Sequence, residues 1–184
     1  ITDILLYQYK KMSFDELVEL KKIEDMVEQY HNSGKYRHTL NQVLINGEIS
    51  PFRFFQGLAE FWRKTTMEKM LRPEAKTKLL YQYLRVTFPG EDEYLFYDLL
   101  KLDWLFAEPR HTLPQWLGGG QGQDRIMNIS EFLPWARGMT PKEIYKKASV
   151  VKFHYYFIME NGKIKNYKKQ DCRAIIDYSK SDRQ

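Results

Sequence analysis

The chain has 184 residues, of which 43% are apolar and 29% charged, and its formal net charge is +5. That length supports a core of its own, and that balance of apolar and charged residues excludes an intrinsically disordered chain. A single cysteine, Cys172, excludes an internal disulfide and a cluster held by thiolates of this chain, and no apolar run approaches the roughly 18 residues of a membrane-spanning helix. The lone cysteine leads to the expectation of a reducing cytoplasm, and the start at Ile1, with no signal peptide to read, to that of a processed chain or a piece of a longer protein. The aromatic share of 15% reads as a ring-rich core rather than a stacking surface. Charge is uneven: residues 140–184 hold 11 Lys/Arg against 5 Asp/Glu, and the other 139 residues hold 18 against 19. The basic excess therefore belongs to the tail.

Ile4 to Met12 is apolar enough for a short strand or a lead-in segment. Ser13 then caps a helix and Glu16 closes a capping box, with Met12 and Leu17 at the positions of a hydrophobic staple. Leu17, Leu20, Ile23, Met26, Val27 and Tyr30 recur at helical spacing as one apolar face, and Gly34 is the stop. Tyr36 to Ile45 reads as a second helix ended by Asn46-Gly47. Ser50-Pro51 restarts the chain, with Phe52, Phe55, Leu58, Ala59 and Trp62 on the apolar face, Phe54 and Phe61 beside it, and an end near Met67. Pro73 opens a helix through Ala75, Leu79, Leu80, Tyr83 and Leu84, closed at Phe88-Pro89-Gly90. Glu91 to Phe106 is the densest helix, with Leu95, Leu99, Leu102 and Phe106 on one stripe and acids in its first turn.

From Pro109 to Gln123 the helical pattern fails, and Pro109, Pro114 and Gly118-Gly119-Gly120 mark a flexible loop. Ile129 to Ala136 reads as one or two helical turns. Thr140-Pro141-Lys142-Glu143 is a second capping box, for a helix ending near Ala148. Then the period changes: Val150 to Ile158 is β-branched and aromatic, Asn161-Gly162 is a hairpin turn, Lys163 to Lys169 returns, and Arg173 to Tyr178 is a candidate third strand. The expected fold is mainly α, a single multi-helix domain (helical body 1–148) with a short antiparallel β-hairpin or small sheet in a β-rich basic tail (149–184).

Chemistry is thinly marked. His31, His38, His111 and His154 lack ligand spacing, so none is assigned to a metal. Cys172 reads as a small hydrophobe rather than a nucleophile. The glycine run 118–122 lacks the Lys-Ser/Thr of a phosphate loop. The Tyr36-Arg37-His38-Thr39 cluster reads first as a joint between helices. The tail, with Lys163, Lys165, Lys168, Lys169 and Arg173 among Tyr155, Tyr156 and Tyr167, could follow a nucleic-acid backbone, although strand lysines also block edge-to-edge aggregation. Tyr36, Arg37, His38, Lys165, Lys168, Lys169 and Arg173 are the candidate interaction surface. No residue is assigned a catalytic, cofactor-binding or metal-binding role.

The run MSFDELVELKKIEDMVEQYHNSGKYRHTL, Met12 to Leu40, resembles the segment that follows the catalytic core in cobalamin-binding-type radical S-adenosylmethionine (radical SAM) proteins, a family of Fe–S oxidoreductase type. There it opens a C-terminal domain of uncharacterised function. Ser13, Phe14, Leu17, Lys21, Ile23, Glu24, Met26, Val27, Glu28, Tyr30, Asn32, Ser33 and Gly34 fit the pattern, His31 replaces a second tyrosine, and a looser likeness runs through LLKLDWLFAEPRHTLPQWL. The resemblance implies a longer protein whose N-terminal domains hold cobalamin and, through a Cys-x-x-x-Cys-x-x-Cys motif, a [4Fe–4S] cluster that binds S-adenosylmethionine. None of those cofactors falls to this chain, and no catalytic residue of the family maps onto it. Two functions follow as expectations: an accessory domain that packs on the radical SAM barrel, or an independent module that binds RNA or another acidic partner through the tail.

Overall fold

The computed structural model describes residues 13–45, 49–66, 71–107, 113–119 and 133–177. Helix α1 (Phe14–Met26) starts where the sequence places it: the Glu16 N–H donates to Ser13 Oγ at 3.2 Å and the Ser13 N–H to Glu16 Oε2 at 2.7 Å. Met12, and with it the staple, lies outside the described residues. The helix continues as a π-helical segment, Val27–Asn32, and Gly34 follows with φ of 69°. Its expected apolar face is covered only in its second half. Ile23, Met26 and Tyr30 are buried, whereas Leu17 and Leu20 are 52% and 39% exposed, beside Phe14 at 78%.

Helix α2 (Arg37–Ile45) and helix α3 (Pro51–Thr66) follow, the latter capped by Ser50 Oγ, which accepts from the Arg53 N–H. On α3 the buried rings are Phe54, Phe55 and Trp62, and Phe52 is the exposed one. The stripe is thus turned toward Phe54, because helix α4 (Pro73–Thr87) packs there: the Tyr83 hydroxyl donates to the Phe54 carbonyl at 2.9 Å. Gly57 permits that approach, since a Cβ on it would stand 2.4 Å from the Tyr83 hydroxyl.

Helix α5 (Glu93–Ala107) is buried on nearly every side, with Leu95, Phe96, Leu99, Leu100, Leu102 and Leu105 all in the core. Phe106 departs from the expected stripe; it is 61% exposed and lies against the His38 ring at 5.2 Å. Short 3₁₀ turns at Gln115–Leu117 and Pro134–Ala136 precede helix α6 (Pro141–Tyr145), whose Thr140–Glu143 capping box is formed. It stops at Tyr145 because strand β1 begins at Ala148.

Strands β1 (Ala148–Glu160) and β2 (Lys163–Asp177) form a two-stranded antiparallel sheet joined at Asn161-Gly162, both with positive φ, as a tight hairpin turn requires. Among the described residues the candidate third strand is the end of β2, which runs unbroken through Arg173, paired with Lys152, to Asp177. The reason is two bulges. Phe153 opposes Cys172 but Tyr155 opposes Lys169, and Ile158 opposes Asn166 but Met159 opposes Ile164, so each bulge adds one residue to β2. A bulge reverses the inside–outside alternation, and in the sequence that reversal looks like the start of a new strand. The hairpin is anchored from below: Tyr155 joins the main helical core, Val151 and Phe153 pack with Leu102 and Leu105, and Val150 packs with Ala136 and Ile144.

Replacing Ser13 by Ala removes one side of the α1 capping box, and the expected loss is about 1 kcal/mol of stability. Chemical denaturation with an unchanged m-value is the measurement; a loss under about 0.3 kcal/mol means that the cap does not govern this helix end.

Candidate functional site

Helix α5 contributes charge where its sequence is otherwise apolar. Asp98 and Asp103 are five residues apart, about 140° around the helix, so they leave it on different sides. Asp103, 1% exposed, reaches the first turn of α2: Oδ1 accepts from the His38 N–H at 2.8 Å and pairs with His38 Nδ1 at 2.8 Å, and Oδ2 accepts from the Thr39 N–H at 2.9 Å. Those donors are orphan amides of the helix start, and the carboxylate also meets the positive end of the helix dipole. Asp98, fully buried, performs the same service for β1. Its Oδ2 accepts from two successive N–H groups, His154 at 2.5 Å and Tyr155 at 2.9 Å, beside the first bulge, and its Oδ1 faces His154 Nδ1 at 3.2 Å.

Lys101, one turn beyond Asp98, is 4% exposed. Its ammonium donates to the Lys152 carbonyl at 2.7 Å, stands 3.6 Å from Asp98 Oδ1, and lies over the Tyr97 ring at 4.6 Å. Burial pulls this amine below the ordinary lysine value, and Asp98 opposes that pull.

Above Lys101 opens a cleft of about 470 Å³. Tyr94, Tyr97 and Lys101 line it from one face of α5, Tyr81 from α4, and Lys152 and His154 from β1. The Tyr94 and His154 rings stack with centroids 4.2 Å apart. Its remaining wall is the 113–119 segment, where Gly118 takes φ of 90° and the Gly119 N–H donates to the Pro114 carbonyl at 2.9 Å. A Cβ on Gly119 would stand 1.7 Å from the Leu113 carbonyl oxygen. The described part of the expected flexible loop is therefore a tight turn, and residues 109–112 and 120–123 lie outside the described residues.

The residues singled out from sequence separate into groups. Tyr36 and His38 are interior, at 5% and 8% exposure, and do not belong to a surface. Tyr36 shares a hydrogen bond with Thr77 Oγ1 at 3.1 Å, and burial pushes its phenol up to about 12. Arg37 between them is exposed. On the tail, Lys165 pairs with Glu160 at 2.8 Å and Lys169 with Asp92. Lys168 is exposed opposite Tyr156, and Arg173 is exposed opposite Lys152. The helical and tail groups are linked by Gln42, whose side-chain amide donates to the Tyr167 hydroxyl at 3.2 Å. His111 lies outside the described residues. Among the described residues no three His, Cys, Asp or Glu side chains are placed to share a metal ion. Burial raises the Cys172 thiol, which donates to the Tyr155 carbonyl at 3.4 Å.

A mainly helical protein closed by a bulged β-hairpin, with buried carboxylates of one helix holding both together, is the class that these observations define. Residues 5–175 match the family described as "Protein of unknown function (DUF4080)", and the chain belongs to that family. No curated protein and no solved structure matches it. Among the described residues no helix is long and apolar enough to cross a membrane.

Two measurements test this arrangement. Asp103→Asn turns an amide toward backbone donors, and the expected loss is roughly 2–4 kcal/mol, since each buried donor left without an acceptor costs about 1–3 kcal/mol; a loss below about 1 kcal/mol contradicts the remote-cap role. Tyr36 supplies a pH test. Its folded value is raised above the unfolded one, near 10, so its contribution is complete below about pH 10 and is lost as pH rises toward about 12. Tyr36→Phe should therefore flatten the alkaline fall in stability by up to about 1.4 kcal/mol per pH unit in that window.

Proposed function

We propose that this chain is a non-catalytic accessory domain of a longer, cobalamin-binding-type radical SAM protein, and that it packs on the catalytic barrel and shapes substrate access. The observation that carries the reading is the uncovered apolar edge of α1. Phe14, Leu17 and Leu20 are exposed, and Phe14 and Leu17 belong to the pattern shared with the radical SAM proteins. A helix that buries one half of its apolar face and leaves the other half open suits a second surface against which to close. In this reading the [4Fe–4S] cluster, S-adenosylmethionine and cobalamin belong to the preceding domains, and this chain contributes shape. The buried charges of α5 support it: Asp98 and Asp103 hold backbone amides of neighbouring elements and are not arranged as an acid–base pair. The RNA alternative is weakened by the ion pairs of Lys165 and Lys169, which offset two of the tail's cations locally.

The test uses the full-length protein that carries this chain. Its upstream sequence should contain the three-cysteine motif, and the remaining domains, expressed apart, should bind this chain. Phe14→Ser with Leu17→Ser should weaken that association at least about tenfold, the equivalent of 1.4 kcal/mol. Two results overturn the proposal: an upstream sequence without the motif, or micromolar binding to single-stranded RNA at about 50 mM salt that is lost at about 200 mM and on changing Lys165, Lys168 and Lys169 together to Glu.

A further inference from the structure

We infer that the cleft between α4, α5, the 113–119 turn and β1 is a binding site for a small planar ring that carries one anionic group. Its volume, about 470 Å³, falls within the roughly 300–1,000 Å³ usual for small-molecule sites. It is walled by rings from three elements. Tyr94 stacks on His154 at 4.2 Å, Tyr97 meets His154 edge-on at 5.9 Å, and Tyr81 meets Tyr97 edge-on at 6.3 Å. Rings held against one another this way offer both faces and edges to a flat guest.

The polar groups sort toward an anion. Lys101 and Lys152 both line the cleft, and the buried Lys101 ammonium stands 3.6 Å from the Asp98 carboxylate. That neighbour, Asp98, is already shared among two backbone amides and an imidazole. Among the described lining residues the acid is Glu93, 3.9 Å from Arg85 Nη2. Burial keeps the Tyr81 and Tyr97 phenols above their ordinary value, so both remain O–H donors. The Trp116 indole packs on these same two tyrosines, at 5.8 and 6.4 Å, and its buried N–H has no acceptor among the described residues. Gly118 forms part of the same wall: a Cβ there would lie 3.6 Å from the Tyr97 hydroxyl and 3.9 Å from Lys101 Nζ, in ordinary contact with both. Phenol donors, two lysines and the rings thus line one cleft.

An aryl carboxylate and an aryl phosphate share this chemistry, and probes separate them. The chain is titrated with 4-hydroxybenzoate, phenyl phosphate, cyclohexanecarboxylate and benzamide while backbone amide resonances are followed. Expected are saturable shifts at Tyr94, Tyr97, Gly118 and His154 with at least one aromatic anion, and binding at least about tenfold weaker for the non-aromatic acid and the neutral amide. Which anion binds more tightly assigns the carboxylate or phosphate source. Tyr94→Ala and Lys152→Glu alter exposed positions, so both variants should keep a single cooperative unfolding transition and the parent's amide dispersion away from the cleft, and lose at least about tenfold in affinity. The inference is overturned if no probe gives saturable shifts up to about 10 mM, if cyclohexanecarboxylate or benzamide binds as well as the aromatic anions, or if both variants bind unchanged.

Discussion

Two carboxylates on one helix hold this structure together. Asp98 and Asp103 are buried where an isolated charge would be unstable, and each is tolerated because backbone amides of another element converge on it. The dependence is mutual. Without Asp103 the first turn of α2 has two buried N–H groups and no acceptor; the residue before that helix is Tyr36, which cannot cap as Ser13 and Ser50 do. Without Asp98, the amides of His154 and Tyr155 have no acceptor where the ladder is interrupted by a bulge. Helix α5 is therefore the cap for one neighbour and the missing ladder partner for another, so its own order and theirs are coupled.

Whatever was legible in the sequence was local. Ser13 with Glu16, Thr140 with Glu143, Ser50-Pro51 and Asn161-Gly162 each act within a few residues, and each stands where the sequence placed it. Features that depend on a distant partner were not readable. Leu17 and Leu20 have the spacing of core residues, but spacing states which face is apolar and says nothing of how far a partner helix extends along it. Phe54 rather than Phe52 is buried because its ring packs on that of Tyr83, far away in sequence, at 5.3 Å. The bulges in β2 fall opposite Phe153–Tyr155 and Ile158–Met159, and no glycine in β2 announces them.

The candidate site followed the same division. The Tyr36–Thr39 cluster was recognisable as a joint between helices, and it is one, but its two ring-bearing members are interior because Asp103 and Thr77 hold them there. Asp98, Lys101 and Asp103 carried the hint, three charges inside the most apolar of the described helices. Such charges require buried partners, and the partners lie more than 50 residues away in sequence. His154 was noticed only as a poor metal ligand; its role comes from the Tyr94 ring and the Asp98 carboxylate, which no local pattern could connect to it.

The unequal arms of the hairpin set its shape. β1 spans 13 residues and β2 spans 15, yet their ends are paired, so the extra length of β2 lies within the bulges. Two ribbons bonded along their length, one longer than the other, cannot remain flat: the longer one takes the outside of the curve, and each bulge adds twist. β1 supplies the buried residues Val151, Phe153 and Tyr155, and the longer, lysine-bearing β2 packs beside it with Ile164, Tyr167, Cys172, Ala174 and Ile176 only partly buried. A bowed, twisted edge is a poor template for another flat strand. The two bulges that fit the long strand to the short one also make that edge a poor match for a second copy of the chain.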